Sequence, residues 1–552
     1  MATGTGTSTN RRVTRPRSRN GCITCKLRHV KCTEEKPSCA QCLKSGRKCD
    51  GYDPDNASQA QLRARIAERH KPIDRDTFCA DHRLVLRQET RTERRYVDFF
   101  YTRTSTAFAG FYDSKLWSYL IPQFGEREPS VRHAMTAIGA MHSRVQITAA
   151  AALQDGSGTA PSERFVLEEY NKSIQTLVKS LSAARGESID LTLTTCCLFV
   201  CLEMLRENQK EALDHIEAGL RIIHKHEQSS SSSTWTSELY LQLRDLFLRL
   251  NLQASFMGRL LIPLKFTSPD TTRSSAGLMV YGNMLEARSH LDNLMNKALL
   301  FIRSVGIMRE EREPALQLSF EAEQEALCQE MAAWRWSHDK LLSKLGSKIS
   351  TSDLCASYLL RIYYHTALLW VLVVLARDED AYDNYTADFE TVVSHAEEVV
   401  RLTGASLSTS SSSSSDKGKS PAPTPTLEST SASPASSFSL EGELIGPLYY
   451  ASCRCRHPSI RRRALTILKH YSKREGMWDA QLYARVAKLV IEVEESQCVT
   501  PPMTERDIGS LSRVYEEIQS KEKLENPTQV VLYMKPEGVD GPWWMRSVFV
   551  EW

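Results

Sequence analysis

Between residues 95 and 402, apolar side chains return every three or four positions, the spacing that lines one face of an α-helix. Val131, Ala134, Met135, Ile138 and Met141 form one such stripe, Leu198, Cys201, Leu202 and Leu205 a second, and Leu213, Ile216, Leu220 and Ile223 a third. No convincing alternating strand series interrupts this region. Polar stretches at 155–162 and 229–233 predict loops between helices. The helical spacing resumes in Ile460, Ala464, Ile467 and Leu468, and again in Leu482, Val486, Leu489, Val490 and Val493. This predicts an all-α body in two parts, 95–404 and 443–552, the second packing on the first and closing the chain.

The segment between the two parts differs in kind. Residues 405–442 are runs of serine with Pro421, Pro423, Pro425 and Pro434 and few large apolar side chains, too little to offset the entropy of ordering, so a disordered linker is expected. Ser420, Thr424 and Ser433 each precede a proline there and are candidate phosphorylation sites whose added charge would alter domain spacing. Residues 1–21 read as a disordered basic arm, and 50–94 as a linker with a short helix at 58–70, where Leu62 and Ile66 lie four apart before Pro72. The longest apolar run, 367–376, has ten residues and is preceded by His365 and Arg361, which predicts a buried core helix rather than a membrane span. No secretory signal is recognisable, so the chain reads as soluble.

Composition changes this picture in one respect. A chain of 552 residues, 41% of them hydrophobic, can form two to four domains, and its net charge is only +3. Residues 1–52, however, hold twelve Lys or Arg against Glu34, Glu35 and Asp50, a charge of +9, which leaves −6 for the remainder. A basic end on a mildly acidic body is the electrostatic footprint of a nucleic-acid-binding module joined to a separate domain.

Six of the fifteen cysteines fall within that basic end, at Cys22, Cys25, Cys32, Cys39, Cys42 and Cys49, and mark out a small domain at 22–49. Each half reads C-x2-C-x6-C, an internal repeat. With no signal peptide, reduced thiols and metal are favoured over disulfides. Two intervening residues let neighbouring thiolates converge on one tetrahedral ion as a helix begins, and soft sulfur ligands favour zinc. Four ligands on each of two zinc ions require eight bonds from six sulfurs, so two sulfurs must bridge. No coordination position is then left open, and the site reads as structural rather than hydrolytic. Motifs for metalloprotease, nucleophile-elbow, phosphate-loop or dinucleotide chemistry are not found, which argues against an enzyme.

The stretch GCITCKLRHVKCTEEKPSCAQCLKSGRKC resembles the DNA-binding domain of fungal binuclear zinc cluster (Zn2Cys6) transcription factors. The resemblance implies that Cys22 and Cys39 are the bridging ligands, that Pro37 is the loop proline, and that a short helix at 26–31 enters the major groove over a CGG-like triplet. That helix is chemically suited to the task. Arg28 can reach guanine O6 and N7 bidentately, Lys26 and Lys31 suit phosphate, and His29 stands where many relatives carry Lys or Arg. The run Arg11 to Arg19, with Arg17 and Arg19 nearest the cluster, reads as a phosphate-contacting arm, a nuclear-import signal, or both.

The body resembles the helical regulatory domain that often follows such clusters. REPSVRHAMTAIGAMH, LFVCLEMLRENQKEALDHIEAGLRII and PLYYASCRCRHPSIRRRALTILKHYSKREGMWD carry this likeness. It implies a nuclear regulator with double-stranded DNA and transcription machinery or co-regulators as partners and no membrane. Homodimers on paired half-sites are common in the family, with a monomer or dimerisation through the body as alternatives. Cys196, Cys197, Cys201, Cys453 and Cys455 read as small core residues rather than ligands. Phe111, Tyr112, Trp117 and Tyr119 likewise read as core, with a pocket wall the alternative.

Overall fold

The computed structural model describes residues 22, 24–25, 30–36, 38–45 and 49 in a first unit spanning Met1–Glu89, and 90–112, 115–151, 161–183, 188–229, 237–264, 279–308, 314–404, 438–471, 473–519 and 526–552 in a second, Thr90–Trp552. The helix expected at 58–70, the basic arm and the three candidate phosphorylation sites lie outside the described residues.

In the first unit, helix α1 (Ala40–Lys44) begins at Cys39, whose side chain accepts the Cys42 N–H. Among the described residues the unit has no apolar core beyond its own sulfurs, with Val30 against them. Metal bound by these sulfurs would supply cohesion of the kind that apolar burial supplies elsewhere.

The second unit is built of helices wherever the sequence shows helical spacing. Helix α2 (Arg91–Phe99) opens with a reciprocal cap in which Thr90 accepts the Glu93 N–H and Glu93 accepts the Thr90 N–H. Two π-helical turns, Phe100–Thr104 and Leu116–Leu120, flank the short helices α3 (Ser105–Ala109) and α4 (Ile121–Gly125). Helices α5 (Pro129–Ala151), α6 (Glu163–Ala183), α7 (Ile189–Leu205), α8 (Gln209–Ser229) and α9 (Glu238–Phe256) follow. The three stripes read from the sequence lie on α5, α7 and α8. Helix α7 is buried on every side from Leu193 to Leu205, against α5, α8 and α9. Gly139 lets α5 meet α2 backbone to backbone, because a Cβ there would collide with the Tyr96 carbonyl oxygen.

A second layer comprises α10 (Met284–Met308), α11 (Pro314–Leu345), α12 (Thr351–Val373) and α13 (Thr386–Thr403). The apolar run at 367–376 falls largely in α12, where Ala367, Leu369 and Val371 are buried, and among the described residues no helix is long and apolar enough to cross a membrane. The third part begins with strand β1 (Phe438–Ser439), then α14 (Ile445–Arg454), α15 (Pro458–His470), β2 (Arg474–Glu475), β3 (Trp478–Asp479) and α16 (Ala480–Glu495). Three apolar clusters result, one around α5 and α7, one around α10 to α12, and one around α13 to α16.

Two expectations need correction. Phe438, Ser439 and Leu440, assigned by composition to the linker, are buried, and β1 pairs in parallel with β2, which turns back antiparallel into β3. The chain also closes on a sheet rather than a helix. Strands β4 (Val514–Gln519), β5 (Thr528–Met534) and β6 (Trp544–Val550) form an antiparallel meander in which Val530 pairs with Gln519 on one side and with Val548 on the other. Its inner residues Val514, Val530, Leu532, Met534 and Val550 join the cluster of α16. The body remains mostly helical, with these small sheets added at its end.

Buried charge ties the third part together. Glu494 on α16 is fully buried between Arg456 (2.9 Å) and Arg461 (2.7 Å), and it accepts the Val514 N–H at 3.0 Å, pinning the start of β4. Glu475 on β2 caps α14 by accepting the backbone N–H groups of Glu443, Leu444 and Ile445 at 2.8 to 3.1 Å. Burial, with Glu443 nearby, nevertheless pushes its carboxyl up to about 7.

Candidate metal centre and nucleic-acid interface

The two C-x2-C turns are built alike. Cys25 N–H donates to Cys22 Sγ at 3.4 Å, and Cys42 N–H donates to Cys39 Sγ at 3.4 Å, so each repeat closes on its first sulfur as a helical turn starts. Cys32 Sγ accepts from the Cys22 N–H at 3.3 Å and the Glu34 N–H at 3.4 Å. Glu34 has φ 62, a left-handed conformation that turns its N–H back onto that sulfur. The halves are joined by the Ala40 N–H, which donates to Thr33 Oγ1 at 2.9 Å.

These turns gather the sulfurs into two groups of four: Cys22, Cys25, Cys32 and Cys39, and Cys22, Cys39, Cys42 and Cys49. Cys22 and Cys39 belong to both. Within each group the ligand atoms lie within 4.8 Å of one another, with Cys22 to Cys39 at 3.6 Å, Cys25 to Cys39 at 3.6 Å and Cys22 to Cys42 at 3.8 Å. Sulfurs about 2.3 Å from a tetrahedral zinc stand roughly 3.8 Å apart, so the donor set fits two such ions sharing two sulfurs. Burial pushes the Cys25 thiol up to about 12. Thiolates packed this closely need cations among them, and metal binding would expel the thiol protons. Six thiolates with two zinc ions leave a net −2, which the N–H···S bonds partly neutralise.

Of the residues expected at the DNA, Lys31 is described and is exposed beside the buried Cys32. Lys26, Arg28, His29, Arg17, Arg19 and Pro37 lie outside the described residues. The parts played by Thr33 and the Glu34 N–H are not legible in the sequence, because neither residue type is a zinc ligand here and their roles arise only when the loop folds.

The remaining cysteines weighed as ligands are packed into the core. Cys197, Cys201, Cys453 and Cys455 are buried, and Cys196 Sγ donates to the His215 carbonyl at 3.0 Å. Burial pushes the Cys196 and Cys455 thiols up to about 12, which makes them poor ligands or nucleophiles. A different cluster, Glu93, His133 and Glu169, could also hold an ion by geometry. Its charge is already taken up by Lys172, whose ammonium stands 2.5 Å from Glu169 and 3.0 Å from Glu93, tying α6 to α2.

Residues 20–58 match the fungal Zn(2)-Cys(6) binuclear cluster domain, and residues 95–381 match the fungal specific transcription factor domain. The chain is 25% identical over 563 aligned residues to the aspercryptin biosynthesis cluster-specific transcription regulator atnN of Emericella nidulans, covering 87% of this chain and 88% of that protein. It is 25% identical to the transcription regulator lscL of Purpureocillium lilacinum over 46% of this chain and 59% of that protein. With the transcriptional regulatory protein moc3 of Schizosaccharomyces pombe the likeness is 43% over 54 residues, 10% of each chain. The cluster accordingly holds two zinc ions, and the chain belongs to the fungal-specific transcription factors with a Zn2Cys6 DNA-binding cluster, which are regulators and not enzymes.

Proposed function

We propose that the six cysteines Cys22, Cys25, Cys32, Cys39, Cys42 and Cys49 ligate the two zinc ions, and that the resulting module reads a CGG-like triplet in the major groove. Arg28 and His29 contact base edges, while Lys26 and Lys31, with Arg17 and Arg19 from the arm, contact phosphate. The protein acts in the nucleus on RNA polymerase II transcription, through co-regulators engaged by the helical body, as a monomer or as a homodimer on paired half-sites. The observation that carries this reading is the pair of four-sulfur groups sharing Cys22 and Cys39, since a closed site offers no position for catalysis and leaves a basic surface as its working part. The relative aligned along most of the chain is a biosynthesis cluster-specific regulator by name, which supports a gene cluster of that kind as the target.

Selection of bound sequences from a random duplex pool tests the reading. The zinc-loaded protein is expected to enrich one motif containing the triplet, and Cys32→Ala is expected to enrich none. Equal enrichment by both, or no motif, would sink DNA reading and leave a cluster that serves protein contacts.

A further inference from the structure

Protein interiors are close-packed, with few voids larger than a water molecule. The second unit departs from this between α9, α10, α12, α14 and β4. A cavity of about 1080 Å³ lies there, lined by members of all three apolar clusters, Leu213, Leu291 and Leu359 among them. Sites for drug-sized ligands commonly measure about 300–1,000 Å³, so this void has the dimensions of a binding site.

Its chemistry narrows the occupant. Part of the wall is aromatic: Phe256 stands 5.2 Å from Trp370 and 6.2 Å from Trp478 between ring centroids, and Trp478 stands 4.4 Å from Tyr483. Its buried charge is held in pairs. Arg249 pairs with Asp292 (3.3 Å) and Glu441 (3.1 Å), and Arg288 pairs with Glu441 while lying 4.0 Å over the Tyr112 ring. Arg454 bridges Glu379 (3.4 Å) and Glu517 (3.0 Å). A charged ligand seated against these pairs would meet groups that already have partners, so burying it there is costly. An uncharged one avoids that cost. Tyr363 lines the same cavity, and its hydroxyl lies beside Gly442, another residue of the wall.

We propose that this cavity binds an uncharged, planar, largely apolar small molecule bearing an N–H or hydroxyl group, held between the aromatic walls and hydrogen-bonded to Tyr363. The occupant touches α12, α14 and β4 at once, so its binding stabilises the folded body against unfolding.

The test uses the full-length, zinc-loaded protein and N-phenyl-1-naphthylamine, an uncharged aromatic amine whose fluorescence rises in apolar surroundings. Saturable one-to-one binding is expected, with a higher melting temperature on saturation. Gly446→Phe places a ring inside the cavity, because the nearest atom to a Cβ at Gly446 belongs to Trp478, 3.8 Å away. It is expected to weaken binding about 10-fold or more. Tyr363→Phe keeps the wall apolar and removes one hydrogen bond, worth roughly 2- to 10-fold. Phe549→Ser, on the exposed outer sheet, should change nothing. Absence of saturable binding overturns the proposal, as does unchanged affinity in a folded Gly446→Phe protein. Should Gly446→Phe not fold, unchanged affinity in Tyr363→Phe overturns it. Tighter binding of the anionic 1-anilinonaphthalene-8-sulfonate, or loss of binding in Phe549→Ser, would place the probe elsewhere and equally refute it.

Discussion

The two units of this protein solve the same problem with opposite means. The body encloses three apolar clusters and buries charge in paired form, as at Glu494, whereas the cysteine unit has no described core but its sulfurs. The body can therefore lose one contact and remain folded, while among its described residues the cluster has no second source of cohesion. Stripping zinc makes the largest difference between them. A structural zinc site supplies on the order of 10 kcal/mol or more. Chelation is expected to abolish the fold of the cluster and specific DNA binding together, and to leave the main melting transition of the body within a few degrees of its starting point. Calorimetry with and without chelator, alongside a DNA-binding titration, checks this. A body that melts with the metal would break the contrast.

Within the body the most consequential single residue is Glu494. Removing its charge leaves Arg456 and Arg461 buried without that counter-ion, so Glu494→Gln is expected to cost about 3–5 kcal/mol in urea unfolding. Burial opposes its ionisation, yet Arg456, Arg461 and the Val514 N–H outweigh burial and hold the carboxyl below its usual range. Stability from such a group is complete above the unfolded value, about 4.3, and is lost as pH falls through the folded one. Glu475 works in the other direction. Burial, then Glu443, raises it to about 7. Its contribution is therefore present below the unfolded value and is lost as pH rises through the folded one. Glu475→Gln should flatten that loss, on the order of 2 kcal/mol, in unfolding measured from about pH 5 to 8.

Sequence and structure agree where a single local period decides the outcome. The stripes on α5, α7, α8, α15 and α16 were readable because their buried positions recur within a few turns, and the cysteine unit because ligand spacing is a local property. Strand β5 was less readable. Thr528, Val530, Leu532 and Met534 point inward, but Val531 and Tyr533 between them are apolar too and hide the alternation. Strand β6 is exposed on both faces over most of its length, so it has no period to find. Phe438 and Leu440 were lost in a polar stretch because two-residue strands leave almost no pattern. Of the four aromatics weighed as core or pocket, Trp117 is core and Tyr119 is half-buried, accepting from the Gln123 amide, whereas Phe111 and Tyr112 line the cavity. No local rule separates them, since the cavity is assembled from segments more than a hundred residues apart.

Close packing in the body also makes it sensitive where the cluster is not. At Gly139 an added methyl would meet the Tyr96 carbonyl oxygen, which belongs to a backbone that cannot rotate away. Gly139→Ala is expected to cost about 1–3 kcal/mol by forcing α2 off α5, read as a lower urea midpoint with zinc content unchanged. The mutation leaves the metal site intact, so DNA affinity measured at low temperature should hold. Loss of both would mean that the units are less independent than their construction implies.

The finest distinction lies within the cluster, between the residues proposed to read bases and those proposed to hold phosphate. Arg28→Ala should reduce discrimination against a changed triplet by about 1–3 kcal/mol, because a bidentate guanine contact is lost. Lys31→Ala should weaken binding to every sequence alike and make the slope of log affinity against log salt shallower by about 0.9, because one fewer counter-ion is released. Neither change touches a sulfur, so zinc stoichiometry stays at two. A salt slope unchanged in Lys31→Ala would remove Lys31 from the phosphate contacts. A slope that falls in Arg28→Ala with discrimination intact would move Arg28 to the phosphates and leave His29 to carry the base preference.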